Sequence, residues 1–248
     1  MSAGAKVTIV TGGSRGIGAA TAKACAGAGH KVAVNYVASA KAAESVVEAI
    51  RAGGGTAIAV KANTADEAEV IAMFERVERE LGPVTGLVNN AGIHGPRARL
   101  DQLSAAEIDD VLAINVKGCF LCAREAVKRM SRKHGGNGGA IVNVSSGSAH
   151  LGDPGNGVIY AASKGAVNSL TIGLSQEVVG EGIRVNAVAP GLTETDMPPK
   201  DKIAQGAKTI PIGRVGQPHE IAAAILWLLS DEASYVSGAN IRAAGGKL

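Results

Sequence analysis

Tyr160 and Lys164 stand four residues apart in the stretch VIYAASKGAVNSL, residues 158–170. On a helix, positions i and i+4 share a face, so the phenol and the ammonium become neighbours. Ala161, Ala162 and Gly165 leave room around them. A phenol beside a cation suits proton exchange with a substrate oxygen, because the cation favours the phenolate. Taken alone, the pair reads more simply as a buried tyrosine and a lysine that reaches along an amphipathic helix to solvent. Other residues have to raise the chemical reading.

A second grouping is T-G-G-S-R-G-I-G, residues 11–18, directly after the apolar run KVTIV and at the start of a helical pattern. It is neither G-x-G-x-x-G nor a P-loop with Gly-Lys-Ser/Thr. Still, Gly12, Gly16 and Gly18 straddle a strand-to-helix turn. Glycine permits positive φ and close backbone approach, and a helix N-terminus offers unpaired N–H groups to a pyrophosphate. With Ser14, Arg15 and Ile17 between them, these glycines form a candidate dinucleotide loop; the alternative is a tight turn with no ligand. NAD binders usually carry an acid at the end of the second strand to hold the ribose 2′-OH. Here that end reads VAVNYVAS, placing Asn35 and Tyr36 beside the ribose and no acid. Arg15 suits a 2′-phosphate, so NADP(H) is favoured over NAD(H).

The elements that must position these groups alternate along the chain. Strands are predicted over residues 6–10, 31–35, 56–60, 86–89, 140–144, 184–188 and 239–242. Helical patterns lie between them over 17–28, 40–52, 67–81, 104–132 with a break or bend, 158–179 and 219–229. Most strands are apolar throughout, as expected when both sheet faces are covered. Such alternation implies βαβ units with right-handed crossovers. The expectation is an α/β fold: one doubly wound Rossmann domain over residues 1–248, with a mostly seven-stranded parallel sheet flanked by helices. In such sheets ligands bind at the carboxyl ends of the strands, where strand order reverses.

Composition agrees. Hydrophobic residues make up 46% of the 248, enough for a substantial core, while the net charge of +3 and 2% aromatics argue against nucleic acid. No uninterrupted apolar run approaches the ~18 residues that span a bilayer. Three cysteines, and a strand that begins almost at once, point to a cytoplasmic location without a targeting segment. Cys119 and Cys122 form a C-x-x-C inside an apolar helical run with no second pair, so they are read as buried helix residues and no metal is expected.

With the T-G-x-x-x-G-I-G loop, the NNAG run at residues 89–92, Asn115, a serine pair after the fifth strand and Y-x-x-x-K, the chain closely resembles the short-chain dehydrogenases/reductases over essentially its whole length. Among them it is similar to bacterial sugar dehydrogenases and 3-oxoacyl-carrier-protein reductases. The resemblance implies that Tyr160 is the general acid/base and that Lys164 also reaches the nicotinamide ribose. An ammonium ~5 Å away contributes about 3 kcal/mol at an effective dielectric of ~20, roughly two units off the phenol's pKa. The resemblance makes Ser146 the group that polarises the substrate oxygen, with Ser145 and Ser148 close by. Ser146 lies 14 residues before Tyr160, which points to an insertion in the LGDPGNG loop. Asn115 would support Lys164 through water; without the family it is a polar residue at a helix bend. Asn89, Ala91 and Gly92 would line the adenosine and its ribose, with Asn89 also bracing the sheet. Pro190 and Gly191 would border the nicotinamide, and Thr195 would donate to its carboxamide, with Thr193 competing. Asn63 stands near the adenine where the family usually has Asp.

The expected function is therefore an NADP(H)-dependent oxidoreductase interconverting a ketone and a secondary alcohol. The alternatives are an NAD-dependent sugar or polyol dehydrogenase and a non-catalytic NADP(H)-binding sensor. The substrate is a small carbonyl or alcohol, carried or free: residues 192–211 form a polar, short lid, and the basic KRMSRKH at 128–134 could dock an acidic carrier or simply suit a helix C-terminus. No nucleic-acid or membrane partner is expected. The apolar AAAILWLL helix and the terminal strand resemble the family's tetramer-forming end, which implies a homotetramer, with Trp227 in the core or a subunit contact.

Overall fold

Val7–Val10 forms β1, four buried residues that become the middle of a parallel sheet. The computed structural model describes residues 5–206 and 208–247. Residues 1–4 and 248 of the expected domain, and Ala207 of the expected lid, lie outside the described residues. β1 pairs with β2 (Lys31–Tyr36) on one side and β4 (Gly86–Asn89) on the other. β3 (Thr56–Lys61), β5 (Gly139–Val144), β6 (Ile183–Pro190) and β7 (Asn240–Ala243) complete the order β3-β2-β1-β4-β5-β6-β7. All pairs are parallel. The seven-stranded doubly wound sheet is as the sequence predicts.

Successive strand residues feed opposite faces, as a period of two requires. Ile9, Ala33, Leu87 and Ile141 join a core with Val70, Phe74 and Val77 of α3 (Glu67–Leu81) and Leu121 and Met130 of α5 (Gly118–Met130). Their neighbours Val10, Val34, Val88 and Val142 join the other core, with α1 (Gly16–Gly27), α2 (Ala40–Ala52) and α9 (Pro218–Leu229). Near-continuous apolar strands follow directly from this two-sided cover.

The helical pattern at 104–132 resolves into α4 (Ala105–Leu112), a single π-turn over Ala113–Lys117, and α5. The π-turn adds one residue to the helix, and Asn115 lies within it, buried. Two helices had no periodic signature in the sequence, α6 (Ser148–Leu151) and α8 (Lys200–Gly206), both between the longer elements. The long α7 (Val158–Val178) carries Tyr160 and Lys164 as expected. No helix of the described residues is long and apolar enough to cross a membrane.

Candidate active site

The carboxyl ends of β1 and β4 diverge where strand order reverses, and the glycine loop turns there into α1. Gly12 and Gly16 adopt φ of 60° and 55°. A Cβ on Gly12 would lie 3.0 Å from the Ala91 Cα, and one on Gly16 would lie 3.3 Å from the Thr195 Cγ2. Thr11 and Asn90 bind the loop to the NNAG run. The Thr11 hydroxyl accepts from the amides of Asn90 and Ala91, and Asn90 Nδ2 donates to the carbonyls of Thr11 and Gly12. Neither residue was singled out from the sequence, because their value lies in pairing across 79 positions. The first turn of α1 holds no acid, and its cap residue Arg15 makes no capping hydrogen bond. A cradle shaped by glycines, carboxylate-free and rich in unpaired amides fits a pyrophosphate.

Asn35 corrects the sequence reading. Its side chain is buried, accepts from the Gly12 amide and donates to the carbonyls of Val60 and Ala62. The carboxamide thus clasps the glycine loop to β2 and β3 and is turned away from the crevice; half-buried Tyr36 follows at the strand end. Asn89 is likewise turned inward, donating to Asn143 Oδ1 and the Cys119 carbonyl, which leaves it the sheet-bracing half of its expected role. Asn63 closes a local turn, its Oδ1 accepting from the Ala65 amide.

Across the crevice, Ser145 and Ser146 follow directly after β5. Ser145 is buried and donates to the Lys164 carbonyl and Asn168 Oδ1. Ser148 donates its amide to the Ser146 hydroxyl, and Ser146 alone of the three serines lies near enough to the Tyr160 phenol to lower its pKa. Lys164 Nζ donates to the Val144 carbonyl at 2.7 Å and lies 5.8 Å from the Tyr160 ring centre. A Cβ on Gly92 would sit 3.4 Å from that Nζ and 3.2 Å from Asn115 Oδ1, so these groups share one small volume. Asn115 accepts from the Ile93 amide and donates to the Ile93 carbonyl and Ser163 Oγ. Pro190 receives the Gly147 amide, which joins the Pro190–Gly191 step to the serine turn. Thr195 lies against Gly16, whereas Thr193 is buried and donates to the Gly191 carbonyl.

The expected two-unit lowering of the phenol is not found. Burial raises the Tyr160 pKa, with Ser146 pulling the other way, Asp153 adding to the rise and Arg97 opposing it. Lys164 is itself brought down to about 8 by burial. Its ammonium is drawn down to the Val144 carbonyl instead of up to the phenol oxygen.

His94, Arg97, Asp153 and Asn156 form a roof that sequence reasoning missed. The His94 ring stacks on Tyr160, centroids 4.9 Å apart and planes 20° apart. Its only sequence signal was the extra length in LGDPGNG, where Asp153 takes φ 46°. The other features are quieter. Cys119 and Cys122 are buried, Cys119 raised to about 12, and no metal-binding cluster occurs among the described residues. Lys128 and Arg129 of the basic cluster pair with Glu125 and Glu78, so much of its charge is already matched within the protein. Trp227 is 42% exposed and so lies outside the core.

Comparisons with known proteins agree with this geometry. A family model described as enoyl-(acyl carrier protein) reductase matches residues 12–247. The chain is 51% identical to the uncharacterized oxidoreductase YgfF of Escherichia coli (strain K12), covering 97% of this chain and 99% of that one. It is 42% identical to the 3-oxoacyl-[acyl-carrier-protein] reductase FabG of Staphylococcus aureus (strain Mu50), covering 97% of each. Among solved structures, a dehydrogenase/reductase from Sinorhizobium meliloti 1021 superposes with a TM-score of 0.92 at 37% identity, covering 97% of this chain and 94% of that one. A short-chain dehydrogenase from Burkholderia cenocepacia J2315 in complex with NADP gives 0.90 at 37%, covering 97% of each. A nucleotide cradle facing a Ser–Tyr–Lys cluster, and relatives aligned from end to end, place this chain in the short-chain dehydrogenase/reductase family of NAD(P)-dependent oxidoreductases.

Proposed function

We propose that the protein interconverts a ketone and a secondary alcohol, with NADP(H) in preference to NAD(H). The observation that carries this reading is Ser146 set beside the Tyr160 phenol and buried Lys164, facing the glycine loop across one crevice. The dinucleotide supplies or accepts the hydride when bound. Tyr160, with its pKa raised, stays protonated at neutral pH and so donates a proton to a substrate oxygen as negative charge develops there. Ser146 donates to the same oxygen and orients it. Lys164, charged below about 8, favours negative charge nearby, while Asn115 fixes the Gly92–Ile93 turn over it.

For the cofactor, Gly12, Ser14, Gly16, Ile17 and Gly18 would hold the pyrophosphate and Arg15, exposed and unmatched by any acid among the described residues, the 2′-phosphate. Ala91, Gly92, Asn63 and Tyr36 would border the adenosine, and Pro190, Gly191 and Thr195 the nicotinamide. The relative solved with NADP supports this preference, and the acyl-carrier reductases support a small carbonyl substrate, free or carrier-bound. A cytoplasmic homotetramer completes the reading, with exposed Phe120, Ile172 and Trp227 as apolar side chains that assembly would cover.

The test is consumption of NADPH and NADH with an acetoacetyl thioester, simple diketones and keto-sugars, with Tyr160→Phe as control. Turnover with NADPH that falls about 10²-fold or more in the variant is expected. Preference for NADH and a polyol would favour the sugar dehydrogenase. Tight NADPH binding with turnover indifferent to Tyr160 would sink the proposal. Light scattering on the same preparation tests the four-copy mass.

A further inference from the structure

The roof over Tyr160 contains a cation whose position is fixed but whose charge is unmatched. Arg97 Nη1 donates to His94 Nε2 at 3.2 Å and to Asn156 Oδ1 at 3.3 Å, and Nη2 donates to the Met197 carbonyl at 3.2 Å. One guanidinium therefore ties together the loop after β4, the turn before α7 and the segment after β6. Arg124, Arg129 and Arg214 each meet a carboxylate. Arg97 is held by neutral acceptors, with no acid in ion-pair contact among the described residues.

The geometry also separates the two edges of the guanidinium. Both Nη1 partners flank Asp153: Asn156 Nδ2 donates to Asp153 Oδ2 at 2.7 Å, and His94 Nε2 lies 3.5 Å from that oxygen. The Nη1 edge thus faces the carboxylate side. The Nε–H and the second Nη2 hydrogen have no acceptor among the described residues. His94 does not compete as a cation, because burial and then Arg97 lower its pKa, so that it stacks on Tyr160 as the neutral ring. Gly157 leaves space for the arrangement, since a Cβ there would lie 2.7 Å from both Asp153 Oδ2 and His94 Cε1.

A planar pair of N–H donors, one imidazole beyond the acid/base tyrosine, matches a carboxylate in the bidentate manner. We propose that Arg97 docks a carboxylate carried by the carbonyl substrate, so that the protein selects oxo acids over neutral ketones. This rests on the carbonyl chemistry proposed above and narrows its substrate class. Bidentate pairing, even at a guanidinium this exposed, corresponds to a preference of about tenfold.

The experiment compares kcat/KM for 4-oxopentanoate and 5-oxohexanoate with their methyl esters, with NADPH, in the wild type, Arg97→Gln and Arg97→Lys. The acid-to-ester ratio is expected to be about ten or more in the wild type for at least one length. It should collapse toward one in Arg97→Gln and be partly retained in Arg97→Lys, which keeps the charge but loses the fork. Because the readout is a ratio, general damage to the roof cancels. A wild-type ratio near or below one, or a ratio unchanged in Arg97→Gln, overturns the proposal. Should neither acid nor ester be turned over, the carbonyl reading fails for these substrates, and binding of 4-oxopentanoate by ligand-observed NMR decides the matter. Saturable binding weakened about tenfold in Arg97→Gln supports the docking role, and no binding or equal binding rejects it.

Discussion

Burial acts on Tyr160 and Lys164 in opposite directions, and the lysine is the one whose charge opposes folding. Its pKa falls from 10.5 to about 8. Below pH 8 both folded and unfolded chains hold the proton, so the full penalty of a buried ammonium is present. Between 8 and 10.5 the unfolded chain binds more protons, so the stability of the wild type rises with pH across that window. The difference, 10.5 − 8 = 2.5 units, corresponds to about 3 kcal/mol. Replacing Lys164 with Met removes that penalty but leaves the Val144 carbonyl without its donor, which costs about 1 kcal/mol. Lys164→Met is therefore expected to be about 2 kcal/mol more stable than the wild type at pH 7 in urea denaturation, and to lose turnover. The advantage should shrink as pH rises above 8. A variant less stable at pH 7 would mean that the ammonium is better solvated by its neighbours than its burial suggests.

At the scale of elements, the glycine loop is held by its own carbonyls as much as by its glycines. A Cβ on Gly18 would strike the Gly12 carbonyl and lie 2.5 Å from Asn90 Nδ2, the group that ties the loop to the NNAG run. Gly18→Ala should therefore open the cradle while α1 persists, since alanine favours helix. NADPH affinity in a fluorescence titration should drop about tenfold or more with helical circular dichroism retained; unchanged affinity would show that the cradle yields without loss. The bounds of α2, α3 and β4 were legible in residue patterns, because periodicity, caps and apolar runs are local. Asp66, for example, caps α3 through the Glu69 amide three residues on. The inward turn of Asn35 was not legible, because its acceptors at Val60 and Ala62 come from another strand. The roof was not legible either: its residues lie at 94, 97, 153 and 156, and only folding brings them to one tyrosine. Short α6 and α8 lack the length for a periodic signal.

For the whole molecule, the two cores cover the two faces of one sheet, the reversal of strand order between β1 and β4 opens a crevice at its carboxyl edge, and the loops there are fastened to each other by Thr11 and Asn90. A ligand bound there binds the folded chain and not the unfolded one, so its binding energy adds to the stability of the fold. At a concentration 100 times its Kd, such a ligand stabilises by about 2.7 kcal/mol. For a chain of this length each kcal/mol raises Tm by about 2–4 °C, so a shift of roughly 5–10 °C is expected with saturating NADPH. The end of β2 offers no acid to NADH, and Arg15 stands exposed at the mouth of α1. At equal concentration NADH should therefore shift Tm by about 3–5 °C less, which corresponds to affinity weaker by about tenfold. Arg15→Glu should remove most of the NADPH advantage by placing a like charge against the 2′-phosphate, and should leave the smaller NADH shift standing. If NADH instead gives the larger shift in the wild type, the ribose is held by groups other than Arg15, and the half-buried Tyr36 at the end of β2 becomes the residue to change next.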